Sequence, residues 1–324
     1  MATVVLDNAR YRLETQDDSL IIRDGDERRG SIPIKMIDRL ILQGNLGLEV
    51  DVLRRLGESG ASILCLSARH SRRVALVLGP RHNDAAIRLG QAEHVTDTTW
   101  CTAFARRQVR AKVRGQIRLL ARAMGKPTVR PKRLADAIKI LATLETKLPE
   151  ASTTSAVRGI EGAAARVYFG ALAELFPLSI GFTGRNRRPP RDPANACLSL
   201  AYTLLHYEAV HAAHTAGLDP LLGFYHRPAF GRESLASDLI EPLRPRVDVF
   251  VVHLFASRQV RAEHFSHDGQ ACLLSKAGRR HFYAAWEQEV HPLRRALRRE
   301  CRILVDAMRR TGESHLNEPE DDEG

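Results

Sequence analysis

Two stretches of this chain carry its most informative residues: R-G-I-E-G-A-A-A-R-V-Y-F at 158–169, and G-F-Y-H-R-P-A-F-G-R-E-S-L-A-S-D-L-I-E-P-L-R-P at 223–245. The first places one glutamate, Glu161, on a helical pattern among small residues. The second brings together an imidazole and two acids: His226, Asp238 and Glu241. Carboxylates together with one imidazole suit a hard divalent cation that keeps open coordination positions. The two stretches therefore predict a metal site on a helical part of the chain.

The rest of the chain is strongly basic. It has 324 residues, a net charge of +11 and an isoelectric point near 9.8. The last thirteen residues, from Gly312, carry six acids and no Lys or Arg, so the positive excess lies before them. Such an excess attracts polyanions, and a metal site in a basic protein indicates chemistry on the phosphodiesters of nucleic acid. Arginine enrichment from a GC-rich genome and a generic solvated surface are alternative explanations of the charge.

The apolar pattern predicts an α+β fold, with a small β-rich N-terminal domain followed by a larger all-α C-terminal domain. Residues 1–80 hold short β-prone runs separated by turn signals, such as the D-G pair at 24–25. Residues 81–311 hold long helical patterns, including an amphipathic helix around 104–120 with a cationic face. Residues 312–324 form an acidic tail that we expect to be disordered.

The composition does not indicate secretion or a membrane. Met1 leads into a polar run, and no window approaches eighteen uninterrupted apolar residues, so neither a signal peptide nor a transmembrane helix is expected. The five cysteines are scattered and odd in number, which argues against a disulfide framework or a zinc ribbon. We therefore expect a cytoplasmic protein with reduced thiols.

The spacing of Asp238 and Glu241 puts both carboxylates on one face of a helix. One interpretation makes this face a wall of the metal site. The other is a solvated acidic face paired with Arg232 or Arg244, which is the commoner role of two carboxylates alone. Pro242 follows Glu241 directly and disfavours regular helix, so we expect the helix to bend or restart there.

Glu161 and His226 each have a structural explanation beside the functional one. A loop histidine near an acid-bearing helix can be a metal ligand, a proton carrier or simply a partner of the acids. A glutamate among alanines on a partly buried helix is costly unless it is paired or metal-bound. Arg158 or Arg166 could satisfy Glu161 without a metal.

Other motifs are weak or absent. We interpret two histidine groups as structural: His206, His211 and His214 on one helix, and His264 with His267 in a polar loop. No H-E-x-x-H pattern or cysteine partner supports a zinc site on that helix. The chain has no G-x-S-x-G nucleophile motif and no G-x-x-x-x-G-K-[ST] loop, so neither a serine nucleophile nor the use of ATP is indicated.

Four segments resemble the CRISPR-associated integrase family, that of the universal spacer-acquisition subunit ("Cas one"). They are R-G-I-E-G-A-A-A-R-V-Y-F, F-T-G-R-N-R-R-P-P-R-D-P-A-N-A-C-L-S-L-A-Y-T-L-L, A-G-L-D-P-L-L-G-F-Y-H and R-E-S-L-A-S-D-L-I-E-P-L-R-P-R-V-D. Their order over about ninety residues is far more specific than any single motif. The β-rich N-terminal and helical C-terminal layout fits this family over nearly the whole chain.

The resemblance implies three metal ligands, Glu161, His226 and Glu241, with Asp238 as an adjacent acid that supports the site. The implied cofactor is Mg²⁺ or Mn²⁺, and the imidazole ligand favours Mn²⁺ in vitro. The implied reaction is attack of a DNA 3′-hydroxyl on a phosphodiester of the repeat, and water as the nucleophile gives endonuclease activity instead. His226 could alternatively protonate the leaving oxygen.

The resemblance also implies contacts with DNA around the start of a helix that follows the proline-rich loop. Asn195 and Tyr202 are expected near the DNA end. Arg187, Arg188 and Arg191 are expected to hold phosphates, mostly without reading sequence.

The implied assembly is a homodimer, formed through the β-rich N-terminal domain, that binds double-stranded DNA. A second small CRISPR-associated protein ("Cas two") is the implied partner in a larger integration complex. The implied function is insertion of short foreign DNA fragments (spacers) into a CRISPR repeat array in antiviral defence. A structure-specific DNA repair nuclease and a non-catalytic DNA-binding scaffold are the alternatives. Metal dependence separates the scaffold from both enzymes, and products larger than the substrate separate the integrase from the nuclease.

Overall fold

The N-terminal region is rich in strands. The computed structural model describes residues 2–68, 73–80, 82–125, 130–186 and 189–316. Its elements up to residue 80 are β1 (Ala2–Leu6), β2 (Tyr11–Gln16), β3 (Ser19–Asp24), β4 (Glu27–Pro33), β5 (Ile37–Gln43), β6 (Gly47–Leu48), α1 (Val50–Glu58), β7 (Ser62–Leu66) and β8 (Arg73–Val77).

In the described chain these strands form two sheets. The first has the order β1-β5-β7-β8, in which β5 is parallel to β1 and β7, and β8 is antiparallel to β7. The second has the order β4-β3-β2-β6, with antiparallel pairing of β3 to both neighbours. The predicted turn at the D-G pair is confirmed between β3 and β4, where Gly25 has a φ of 62° that glycine adopts without steric cost.

The remainder of the described chain is mainly helical. The helices are α2 (Ala85–Thr96), α3 (Thr98–Ala123), α4 (Pro131–Thr146), α5 (Thr154–Leu172), α6 (Pro193–Thr215), α7 (Ser234–Ile240), α8 (Arg244–Ala256) and α9 (Lys276–Leu316). Short 3₁₀ turns span Ile34–Met36, Leu148–Glu150, Ala173–Leu175, Leu178–Ile180, Glu241–Leu243 and Ala262–His264. The predicted α+β class is confirmed. None of the helices in the described ranges has the length and apolarity that a membrane crossing needs.

A short hairpin interrupts the helical region. Strands β9 (Phe265–Asp268) and β10 (Ala271–Leu274) pair antiparallel in the segment that the sequence indicated as a polar loop. Each strand has only four residues, and β9 is mostly exposed. Polar residues on so short a strand leave no alternation to detect, which is why the pattern indicated a loop.

The last helix extends into the predicted acidic tail. It continues to Leu316, five residues beyond the expected boundary at 311, and Gly312 is buried against α2. A Cβ built on Gly312 would overlap the backbone of Ala86, and one built on Gly90 would lie 2.8 Å from the carbonyl carbon of Met308. Glycines on both helices therefore allow a close crossing at Gly312, and the helix continues beyond it with exposed residues to Leu316. The acids from Glu318 onward lie outside the described residues.

The helix break predicted at Pro242 is confirmed. α7 ends at Ile240, a 3₁₀ turn spans Glu241–Leu243, and α8 begins at Arg244. α3 runs close to this break, since a Cβ built on Gly115 would lie 2.9 Å from the Cγ atom of Pro245. This close approach lets a side chain of α3 reach Glu241.

Candidate active site

Glu161 and Glu241 meet across one lysine, Lys112. Glu161 lies on α5, Glu241 lies on the 3₁₀ turn after α7, and α3 supplies Lys112. The Nζ atom of Lys112 lies 2.6 Å from Oε2 of Glu241 and forms an ion pair with Oε1 of Glu161. Lys112 is 8% exposed and Glu241 is 3% exposed, so this ion-pair cluster is largely shielded from water.

The second oxygen of each glutamate has its own donor. The Tyr225 hydroxyl donates to Oε2 of Glu161. Nε of Arg244 donates to Oε1 of Glu241 at 2.8 Å. Burial and the charge of Glu161 raise the pKa of Tyr225, so its hydroxyl keeps its hydrogen. Each carboxylate is therefore held at one oxygen and presents the other towards Lys112.

The charges of this cluster are mutually stabilised. Burial raises the pKa of Glu241, but Arg244 and Lys112 outweigh burial and leave that pKa well below its usual value. Burial lowers the pKa of Lys112, but Glu241 and Glu161 outweigh burial and raise it. At neutral pH both groups are ionised, and each depends on the other because neither is solvated.

Asp238 holds the loop that carries His226. Its Oδ2 atom accepts hydrogen bonds from the backbone N–H groups of Phe224 and Tyr225 at 2.7 and 2.9 Å. Its Oδ1 atom accepts from the backbone N–H of His226 at 2.8 Å and from the ring Nδ1 at 2.7 Å. Burial raises the pKa of Asp238, although His226 and the backbone donors oppose this shift. Because Nδ1 of His226 donates, Nε2 is the nitrogen that keeps a lone pair in the neutral ring.

The acids Asp238 and Glu241 point to different partners. Asp238 faces the loop of His226, whereas Glu241 faces Lys112 and Arg244. The backbone N–H of Glu241 donates to the carbonyl oxygen of Asp238, and this i to i+3 bond keeps the two residues at helical spacing. The spacing is thus helical, as predicted, and the two carboxylates differ in their partners. His226 nevertheless lies close enough to Glu241 for its charge to lower the pKa of that acid.

A further buried carboxylate, Asp248, lies behind Arg244. Tyr202 donates its hydroxyl to Oδ1 of Asp248, and Tyr168 donates to Oδ2 at 2.7 Å. Burial raises the pKa of Asp248 to about 6 in spite of these hydrogen bonds. The guanidinium group of Arg244 lies 4.6 Å from the ring centroid of Tyr202. Tyr202, expected near a DNA end, is thus connected to Glu241 through Arg244, and its hydroxyl faces the interior.

Asn195 is fully buried and organises the proline-rich loop. Its side chain accepts hydrogen bonds from Nη1 of Arg185 at 2.8 Å and from the backbone N–H of Asn186 at 3.0 Å. It donates to Oδ2 of Asp192 at 2.6 Å and to a loop carbonyl. The amide groups are committed to the loop, so any effect of Asn195 on DNA is exerted through the loop rather than by direct contact. Of the arginines expected on phosphates, Arg191 is exposed, and the other two, at 187–188, lie outside the described residues.

Sequence reasoning missed the role of Lys112. The cationic face of α3 was recognised, but Lys112 lies on the buried side with Gln108 and Gln116, which are each 2% exposed. These three polar residues recur every four positions beside the apolar stripe. That recurrence is the signal that could have identified Lys112, since a polar row directed inward needs internal partners.

Arginines along α3 form the cationic face that the sequence predicts for this helix. They are spaced by four residues and consist of Arg106, Arg110, Arg114, Arg118 and Arg122. We call them the arginine row. Four of them, with Arg107, border a groove of about 570 Å³. Arg118 and Arg122 also border a groove of about 250 Å³ with Pro242, next to Glu241. The arginine row therefore leads towards the turn that carries Glu241.

The histidines of α6 make separate contacts, as the structural interpretation expects. Nε2 of His206 lies 3.1 Å from Oε2 of Glu233. Nδ1 of His211 lies 3.3 Å from Nη2 of Arg39. His214 contacts a backbone carbonyl oxygen at 3.0 Å.

The donor set at Lys112 has the chemistry of a cation site. Across the described ranges, no three His, Cys, Asp or Glu side chains are arranged to hold a metal ion. At this site an ammonium group lies between Glu161 and Glu241, and it satisfies one oxygen of each. The two acids are thus already directed at a positive charge, and His226 lies close enough to Glu241 to affect its pKa. Oxygen and imidazole donors in this combination suit a hard or borderline divalent ion.

Comparisons with known proteins agree on one family. The family model described as CRISPR associated protein Cas1 matches residues 4–288. The chain is 35% identical over 304 residues to CRISPR-associated endonuclease Cas1 1 of Thermodesulfovibrio yellowstonii, covering 91% of this chain and 93% of that protein. Among solved structures, a casposase bound to integration product is similar with a TM-score of 0.81 at 21% identity, over 94% of this chain and 91% of that chain. A Cas6-RT-Cas1–Cas2 complex matches with a TM-score of 0.80 at 24% identity, over 95% of this chain and 35% of that chain.

Proposed function

Because the chain belongs to the Cas1 family, we propose that it is a metal-dependent DNA endonuclease and integrase, which inserts short foreign DNA fragments into a CRISPR repeat array in antiviral defence. One observation carries the proposal: Glu161 and Glu241 converge on a single cation beside His226. The name of the curated relative, an endonuclease, supports phosphodiester chemistry. We extend the reaction class of the casposase of the same fold, strand joining, to this chain as part of the proposal.

Glu161, Glu241 and His226 would hold the metal ion. Cas1 nucleases are metal-dependent in general, and for this chain we assign Mg²⁺ or Mn²⁺. Carboxylate oxygens suit both ions, and the imidazole nitrogen favours Mn²⁺. When bound, such an ion neutralises the charge that develops on a phosphodiester during in-line displacement.

The neighbouring side chains fix the three ligands before any ion binds. Tyr225 and Arg244 each hold one oxygen of a glutamate, so the carboxylates cannot rotate freely. Asp238 holds the ring of His226 through Nδ1 and leaves Nε2 as an acceptor. This contact fixes the ring for either role of His226, as a metal ligand or as the acid that protonates the leaving oxygen, and the proposal takes it as a ligand. Fixed ligands reduce the entropy cost of assembling the reactive geometry.

Two surfaces beside the site suit the phosphates of DNA. The arginine row follows α3 to the turn of Glu241 and offers guanidinium groups at about 6 Å intervals along the helix axis. A cavity of about 680 Å³ lies next to Phe224 and is lined by the hydroxyl-bearing residues of 98–102 and 152–154, with Arg106 and Arg227. Arginine and hydroxyl groups hold phosphates without reading sequence. Double-stranded DNA is therefore the proposed substrate.

The assembly is part of the proposal. A solved structure of the same fold contains Cas1 together with Cas2, and we assign to this chain a homodimer that works with a small Cas2 partner. The strand-rich N-terminal region is the assigned dimer surface, since the sheets end in edge strands such as β4. Light scattering of the full chain, alone and with Cas2, measures both steps. A strictly monomeric mass at micromolar concentration would remove the dimer from the proposal.

The test is a strand-transfer assay. Labelled short duplexes with free 3′-hydroxyls are incubated with a supercoiled plasmid that contains the repeat, in Mn²⁺, Mg²⁺ or EDTA, with and without Cas2. The variants are Glu161→Ala and, as a matched control, Glu150→Ala, because Glu150 is an exposed acid outside the ion-pair cluster of Lys112. We expect label in the plasmid only with metal, for wild type and for Glu150→Ala. Glu161→Ala should keep DNA binding, since removing an acid weakens no phosphate contact.

Each other result selects a different function. Plasmid nicking without transfer of label would favour the repair nuclease. DNA binding without any metal-dependent chemistry would favour the scaffold. Full activity of Glu161→Ala would refute the site assignment.

A further inference from the structure

Lys112 is the cation that lies between the two acids, Glu161 and Glu241. Its ammonium group contacts Oε1 of Glu161 and Oε2 of Glu241, which are the two oxygens that Tyr225 and Arg244 leave open. A divalent ion shared by both glutamates would take these same oxygens. The ammonium group and the ion therefore compete for one position.

The charge balance makes this competition strong. Two acids, Glu161 and Glu241, are matched by two cations, Lys112 and Arg244, so the cluster is neutral. Adding a divalent ion with Lys112 in place would leave two excess positive charges in a site shielded from water. Like charges repel strongly where water does not screen them. Binding of the ion is therefore linked to departure of the ammonium group.

A lysine at position 112 suits a side chain that has to move away from the two acids. The chain uses arginine almost everywhere, and only seven of its 49 basic residues are lysine. Arg244, the other cation of the cluster, is a planar fork fixed against the ring of Tyr202. Lysine is a compact point charge on four flexible methylene groups, which can swing without dismantling a stacked contact.

We infer that Lys112 is a resident counter-ion. It positions Glu161 and Glu241 when no divalent ion is bound, and it withdraws from between them when the ion binds. This inference rests on the proposed function, because it takes the same two glutamates as metal ligands. Lys112 is a positioning residue: it acts through the two acids.

The experiment is a calorimetric titration with Mn²⁺ alone, without DNA, on the full chain. It compares wild type, Lys112→Met, Lys112→Arg and Lys139→Met. The last is the matched control, since Lys139 is an exposed lysine on α4 and the charge change is identical. Removal of the competing ammonium group should tighten Mn²⁺ binding by at least about tenfold in Lys112→Met. Lys112→Arg keeps the charge and should not gain affinity, and Lys139→Met should match wild type.

Thermal unfolding gives a second readout that activity does not affect. In EDTA, Lys112→Met should melt below wild type because two buried carboxylates lose their counter-ion. Saturating Mn²⁺ should raise its melting temperature by more than it raises that of wild type. A variant with unchanged or weaker Mn²⁺ affinity would overturn the inference while leaving the metal site intact. Failure of wild type itself to bind Mn²⁺ would instead overturn the proposed site.

Wild type provides a test that holds even if Lys112→Met does not fold. Lysine side chains are acetylated with a water-soluble reagent in EDTA and in Mn²⁺, and peptide mass spectrometry quantifies each site. Withdrawal of the ammonium group predicts several-fold more labelling of Lys112 in Mn²⁺, with Lys139 unchanged. Equal protection of Lys112 in both conditions would show that it stays between the acids.

Discussion

Replacing Asp238 by Asn should destabilise the protein and weaken metal binding together. Each oxygen of Asp238 accepts two hydrogen bonds from the loop of His226, and the carboxylate is fully buried. An asparagine keeps one oxygen and presents an amino group at the other position, whichever way the amide is turned. Two N–H donors of the loop then face the NH₂ group of the amide, which cannot accept their hydrogen bonds. Lost hydrogen bonds to a charged acceptor cost about 1.5–3 kcal/mol each.

The expected net loss is smaller than the sum of the two hydrogen bonds. Burying the charged carboxylate of Asp238 already costs free energy, as its raised pKa indicates, and Asn removes that cost. We therefore expect the free energy of unfolding to fall by about 3 kcal/mol in urea titrations in EDTA. Asp136→Asn is the matched control, because Asp136 is exposed on α4, and its effect should stay within about 0.5 kcal/mol.

The same substitution should reach the metal site through His226. Whichever way the amide is turned, Nδ1 of His226 loses the charged acceptor that fixes the tautomer and orientation of its ring. Loss of such a partner typically weakens metal binding about 10- to 100-fold, which Mn²⁺ calorimetry measures. Wild-type stability and wild-type Mn²⁺ affinity in Asp238→Asn would refute this account of Asp238. Lost stability with unchanged affinity would limit Asp238 to holding the loop.

Three further predictions concern packing, pH and DNA. Gly312→Ala places a methyl group against the backbone of α2 and should lower the free energy of unfolding by about 2 kcal/mol or more in denaturant titrations. In the control Gly57→Ala the added methyl group meets nothing within 4 Å, so the change should be neutral or stabilising. Equal effects of the two substitutions would contradict the close crossing. The pKa of Asp248 is raised from 3.8 to about 6, so the folded state binds its proton more tightly than the unfolded state does. Raising the pH across this range should lower the unfolding free energy of wild type by up to about 3 kcal/mol more than that of Asp248→Asn, and parallel pH profiles would refute it. The double variant Arg118→Ala with Arg122→Ala should weaken DNA binding regardless of sequence and reduce the salt slope by about 2 in anisotropy titrations, and an unchanged slope would exclude both arginines from phosphate contact.

The acids and the imidazole could be located from sequence because their local surroundings are unusual. Glu161 lies among small residues that make an unpaired charge conspicuous, and Pro242 marks a break beside Glu241. The structure brings Glu161 and Glu241 together across Lys112. The ligand roles themselves stay predictions until an ion is measured. What the spacing did not predict was the partners, because Asp238 binds the loop of His226 whereas Glu241 binds Lys112 and Arg244.

Long-range partners could not be predicted in the same way. Lys112 is 49 residues from Glu161 and 129 from Glu241 along the chain, and in sequence it is one basic residue of a basic helix. Only packing of α3 against α5 and the 3₁₀ turn decides that it faces inward. The buried position of Gly312 has the same origin, since its partner Ala86 belongs to the first helix of the helical region. The acidic composition predicts a disordered tail from Gly312 onward, but the contact of Gly312 with α2 keeps the helix going past this residue.

One helix carries the positive charges that act inside and outside the site. Lys112 faces Glu161 and Glu241, while the arginine row on the same helix leads along the surface to their turn. A divalent ion that enters a neutral cluster beside the arginine row is repelled by the positive potential of those arginines. Negative charge bound to the row reduces this repulsion. DNA phosphates supply that negative charge. Binding of the proposed DNA substrate would thus contribute to the charge balance of the site, because phosphates on the arginine row reduce the repulsion of the metal ion.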